Sequence, residues 1–207
     1  MAKIITITED DLSKMVKRVL KESQKNLLKE GKESIDKWAL YTTYKKYNDL
    51  GSEETFNQIF KPERKAGKQP FVSFGNGCAT KVSLSLAKAG QKVSPAFITT
   101  SGEQKGTPIQ TSAESLKNNL ISLWGEPDVK VSGAITEEQL LKKIGNKKTG
   151  VMICAPCGFG PGVSGHATVW SRSHGTNKTG GTADDTGYHL DNPNANIYFW
   201  KVGADNV

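Results

Sequence analysis

Through most of the first 145 residues the apolar positions recur at helical spacing, and in the last third they recur as short strand-like runs. This segregation is the tightest constraint on the fold, because chains that group their helices and strands apart build α+β domains instead of alternating βαβ layers. On the helical side, Thr8 followed by Glu9, Asp10 and Asp11 reads as an N-cap with an acidic first turn, ahead of a stripe of Leu12, Met15, Val16, Val19 and Leu20 that Leu27 and Leu28 continue. Gly31 is expected to interrupt this helix, and a second piece carries Ile35, Trp38 and Ala39. The segment reads either as an amphipathic cover packed on the domain or as a docking arm. Residues 51–75 read as basic loop. Further helices are expected from about Ser112 to Trp124 and from Thr136 to Gly145, with a short strand in "DVKVSG" between them. The strands that follow are "TGVMICAP", "GHATVW", "GYHLD" and "NIYFWKV", separated by Gly-, Pro- and Asn-rich turns. The expected organisation is an N-terminal helical extension over 1–50 and one compact domain over 51–207, helices first and a small antiparallel β-sheet after.

One helix carries chemistry. In "FGNGCATKVSLSLAKAG", Ala79, Val82, Leu86 and Ala87 form the apolar face, Lys81, Ser85 and Lys88 fall elsewhere, and Gly90 ends the helix. Cys78 therefore stands in the first turn, where unpaired N–H groups and the positive end of the helix dipole favour an anion such as a thiolate. The plain alternative is a small buried hydrophobe.

A chain of 207 residues with a net charge of +7 suits an acidic partner. Its lysines are spread along the sequence without a base-reading or zinc-finger motif, which argues against nucleic acid. The start "MAKIITITEDD" lacks the apolar core of a signal peptide, and no segment reaches membrane-spanning length, so synthesis in the cytoplasm without membrane insertion is expected. Three cysteines do not make a disulfide framework. "CAPC", Cys154 to Cys157, sits at a strand end, where packing or loop closure is the first reading, a regulatory disulfide the second and metal the third. No metal or cofactor is expected, because zinc would need two more ligands at paired spacing.

A cysteine nucleophile needs a base and an orienting acid. His166 enters a strand in "GHATVW", and Asp184, Asp185 and Asp191 follow it. Asn76 is a candidate second oxyanion donor, although "GNG" is also turn chemistry. Lys81, one turn beyond Cys78, is a candidate for holding a substrate carboxylate or an ordinary solvated lysine.

"NGCATKVSLSLAKAG" and "GHATVW", with "LISLWGEPDVKV" and "GVMICAPCGFGPGVSGH" between them, resemble the fourth family of type VI secretion amidase effectors. These are papain-like cysteine peptidases related in fold to the NlpC/P60 group, and the resemblance covers roughly Phe74 to Val202. It implies an antibacterial enzyme, delivered by type VI secretion machinery into the periplasm of a rival cell. There it would cleave peptidoglycan peptide stems between D-glutamate and meso-diaminopimelate. By position, Cys78 is the nucleophile, His166 the base and Asp185 the third member, with Asp184 and Asp191 as alternatives. The chain inserts "SRSHGTNKTGGTA" where the family crosses in a short hairpin. The resemblance also implies a cognate immunity protein. Two other classes stay open beside it: a catalytically silent wall-binding module, and dithiol exchange through Cys154 and Cys157. A papain-like amidase or acyltransferase of other substrate is the related-enzyme alternative.

Overall fold

The computed structural model describes residues 8–67, 77–145, 148–158, 165–171, 181–183 and 190–203. In chain order the elements are α1 (Glu9–Glu33), α2 (Lys37–Ile59), α3 (Lys61–Lys65), α4 (Cys78–Lys88), β1 (Phe97–Ile98), β2 (Pro108–Ile109), α5 (Ala113–Trp124), β3 (Val129–Ser132), α6 (Glu137–Ile144), β4 (Gly150–Cys154), β5 (His166–Ser171), β6 (Gly181–Thr182) and β7 (Asn196–Lys201). The fold is α+β. Local chemistry starts the helices where the sequence signals it: Thr8 and Asp11 form a capping box, Ser112 accepts from the N–H of Ser115, and Thr136 and Gln139 form a second box.

The main sheet runs β3-β7-β4-β5-β6, with every neighbouring pair antiparallel. Successive side chains of its strands point to opposite faces, and each face is covered. Val151, Ile153, Ala167, Val169 and Trp200 pack with Leu40 and Tyr44 of α2, Val82 and Leu86 of α4, and Leu116 and Leu120 of α5. Met152, Cys154, Trp170, Ile197 and Phe199 pack on the other face with Leu140 and Ile144 of α6. The sheet is thus a wall between two apolar clusters, and α4 lies on the first.

Three features differ from the sequence expectation. α1 passes through Gly31 without a break to Glu33, and its stripe is uncovered: Leu12, Met15, Val16, Val19 and Leu20 are 49–64 % exposed. The side chains of Leu27 and Leu28 lie outside the described residues, as does the expected strand "GYHLD" up to His189. Residues 51–65 are helical and not loop, because Thr55, Phe56, Ile59 and Phe60 recur at helical spacing and bury one face with Tyr47. The expected division between residues 50 and 51 falls inside α2, at a kink where Gly51 takes φ 79°. Residues on both sides of it, Tyr47 and Phe56, belong to the same apolar cluster. Phe97–Ile98 and Pro108–Ile109 pair as the small antiparallel β1-β2 hairpin.

Candidate active site

α4 is enclosed on all sides, not amphipathic as its spacing suggests: every residue from Cys78 to Leu86 is buried. Its polar members are satisfied inside the protein. Ser83 and Ser85 donate to the carbonyls of Ala79 and Lys81 at 2.8 and 2.6 Å, and Thr80 donates to the carbonyl of Gln110 at 3.2 Å. The only free cysteine, Cys78, is therefore held at the first helical position of a core element.

His166 is the first residue of β5, paired across the sheet with Cys154. The pleat groups it with Thr168 and Trp170, on the face away from α4. Because it stands at the strand's end, its ring nevertheless meets Cys78. Gly165, just before it, adopts φ 145°, and a Cβ there would run into the carbonyl oxygen of Cys154. Only glycine fits this turn.

Burial pushes the Cys78 thiol up, and the hydrogen bond and charge of His166, with the N–H groups of Ala167 and Ala79, more than offset it, so the thiol titrates below its ordinary value. A thiol with three hydrogen-bond donors around it at a helix N-terminus, beside an imidazole, has the surroundings that favour a thiolate. The family model for type VI secretion system amidase effector protein 4 matches residues 74–200, a span that contains both residues. The chain belongs to this family.

Solved structures of other amidase effectors share its fold. The type VI effector Tae4 from Enterobacter cloacae is 19% identical with a TM-score of 0.57, covering 81% of this chain and 96% of its own. The effector–immunity complex Tae4–Tai4 from Salmonella Typhimurium gives 16% and 0.58, covering 81% and 98%. The corresponding complex from Enterobacter cloacae gives 20% and 0.57, covering 81% and 98%. No curated protein matches the chain.

The other candidate residues of this amidase effector separate. Asn76, Asp184 and Asp185 lie outside the described residues. Asp191 lies in a shallow groove of about 440 Å³ with Ile135, Thr136, Glu137 and Leu190, whose lining includes neither Cys78 nor His166. Lys81 is not a solvated lysine: it is 8 % exposed, and its Nζ donates to Oδ1 of Asn48 at 3.2 Å. Cys154 and Cys157 form a disulfide and are 0 and 1 % exposed. Dithiol exchange needs a sulfur that a partner thiol can attack, so this burial argues against the redox reading. Among the described residues no group of His, Cys, Asp and Glu is placed to hold a metal ion, and no helix is long and apolar enough to cross a membrane.

Sequence reasoning missed the contribution of α2. Tyr44 Oη donates at 3.5 Å to the carbonyl of Ala167, the residue whose N–H bonds the thiol. Ser52 Oγ accepts from the N–H of Gly77 at 3.2 Å. The spacing of Phe56, Ile59 and Phe60 was the available signal for a helix here, and nothing in the sequence pairs Ser52 with Gly77. The approach is close: a Cβ on Gly77 would lie 2.6 Å from Ser52 Oγ and 3.3 Å from its Cα. Since φ at Gly77 is an ordinary −76°, Gly77→Ala tests this contact and not backbone freedom. It is expected to lower kcat/KM at least about tenfold by displacing the helix start, measured with the melting temperature as a check on folding.

Proposed function

We propose that the chain is a cysteine amidase that hydrolyses the bond between D-glutamate and meso-diaminopimelate in peptidoglycan stems, in the periplasm of a cell reached by type VI secretion. The observation that carries this reading is the lowered thiol of Cys78, bonded to His166 at the start of a buried helix. The thiolate attacks the amide carbon and forms the C–S bond as the carbonyl electrons move to oxygen. The N–H of Cys78, at the helix N-terminus, is assigned as the first donor to that oxyanion, with Asn76 as the second. Protonated His166 then gives its proton to the departing nitrogen of diaminopimelate, the C–N bond breaks, and a thioester remains on Cys78. Neutral His166 takes a proton from water as the water attacks the thioester, and the new carboxylic acid leaves with the thiolate regenerated.

Asp185 is assigned the orienting role toward His166, with Asp184 and Asp191 as its alternatives. Lys81 would reach a substrate carboxylate only by giving up Asn48, and the basic balance of the chain draws the anionic stem more generally. The papain-like, NlpC/P60-related description fits this arrangement of helix-borne cysteine and strand-borne histidine. The partner proteins are the secretion machinery and an immunity protein, as in the effector–immunity complexes of the related structures.

Digestion of purified meso-diaminopimelate-type peptidoglycan, with fragments read by mass spectrometry, tests the substrate. The expected products carry a newly freed D-glutamate γ-carboxyl and a free diaminopimelate amine. Intact stems under conditions where a control amidase cuts them would refute the substrate assignment.

A further inference from the structure

The nucleophile helix begins without a cap of its own. Gly77 is the N-cap residue of α4 and offers no side-chain hydrogen bond. A serine, threonine or aspartate there would accept from the N–H of residue 79 or 80. The N–H of Ala79 already bonds the Cys78 sulfur, so a local cap would compete with the nucleophile for its donors. Glycine leaves those donors free, and leaves the helix start to be fixed from elsewhere.

α2 supplies that fixation. Ser52 Oγ takes the N–H of Gly77 itself, a group outside the first helical turn, at 3.2 Å. One turn earlier on α2, Asn48 takes the ammonium of Lys81, one turn into α4, at 3.2 Å. The kink at Gly51 carries the chain between these two ties. It is braced by Thr55, whose Oγ1 donates to the carbonyls of Gly51 and Tyr47 at 2.7 and 3.2 Å. Tyr47 and Phe56 are buried on either side of it, 2 and 1 % exposed.

We propose that Ser52 is a positioning residue for Cys78: an external cap on Gly77 that fixes the start of α4 and leaves the first-turn N–H groups to the thiolate and the oxyanion. This rests on Cys78 acting as the nucleophile. It also extends the working machinery of the enzyme to α2, upstream of the span that the family model matches.

The test compares wild type, Ser52→Ala and Ser52→Thr in the full chain. Alanine is a good helix former, so the first variant removes the hydroxyl and leaves α2 intact; a melting curve checks this. Two readouts are taken: kcat and KM on peptidoglycan stems, and the pH profile of iodoacetamide trapping at Cys78, the only free thiol. Ser52→Ala is expected to lower kcat about tenfold to a hundredfold at unchanged KM and to move the trapping profile to higher pH, with Ser52→Thr close to wild type in both. A Ser52→Ala enzyme within about twofold of wild type in kcat with an unmoved profile overturns the proposal. Equal losses in the alanine and threonine variants overturn it too, because the hydroxyl would then not be the cause. If wild type fails to cut stems, the substrate reading fails and the trapping profiles still decide the role of Ser52.

Discussion

Cys78→Ala is expected to reduce amide hydrolysis by at least about a thousandfold, since no other described thiol is free to replace it. The same variant gives a chemical answer that needs no substrate. Near neutral pH, wild type should take up one carbamidomethyl group per chain from iodoacetamide, because Cys154 and Cys157 are bonded to each other and the Cys78 thiol is lowered toward its reactive form. The alanine variant should take up none. Hydrolysis that survives in Cys78→Ala would remove the cysteine mechanism, whatever the alkylation result.

His166→Ala separates the two tasks of the imidazole. Burial raises the Cys78 thiol, and the bond and charge of His166 are the first of the contributions that bring it down. Without the ring, burial is opposed only by the N–H groups of Ala167 and Ala79, so the thiol should titrate higher and alkylation at neutral pH should slow. The sign follows directly: in wild type, reactivity is present above the lowered thiol value and lost as pH falls through it, and in the variant that loss begins at higher pH. Raising the pH should therefore restore alkylation. Hydrolysis should stay down by about 10²- to 10⁴-fold, because the departing nitrogen still lacks its proton donor. Recovery of hydrolysis together with alkylation at high pH would show that His166 acts on the thiol alone.

Much of this was legible in the sequence, and for identifiable reasons. The capped helices α1, α5 and α6 announced themselves because a cap is local chemistry, decided by residues three apart. Cys78 and His166 stood out for the same reason: a glycine-led helix start and a glycine-led strand start are short patterns. The antiparallel sheet followed from short apolar runs between turns. What failed to show was tertiary. Lys81 and Ser85 look like an outward face in any window of the helix, and only the packing of α2, α5 and β5 around α4 reveals that α4 has no outward face. Residues 51–65 were misread because their charges outweigh Phe56, Ile59 and Phe60 by eye, although burial of those three decides the structure. Trp38 shows the reverse: expected along a helical piece with Ile35 and Ala39, it is 72 % exposed, since the helix turns Leu40 and Tyr44 inward. The pairing of Ser52 with Gly77 joins residues from separate helices and has no sequence signature at all.

The enclosure of α4 has a consequence for how such an enzyme can change. In many enzymes a rigid scaffold carries reactive groups on loops that vary cheaply. Here the reactive sulfur is borne by the element around which the interior is assembled, so a substitution that adjusts the thiol from within α4 also disturbs side chains on three neighbouring elements. Reactivity and fold are inherited as one trait. Diversification is left to residues outside α4.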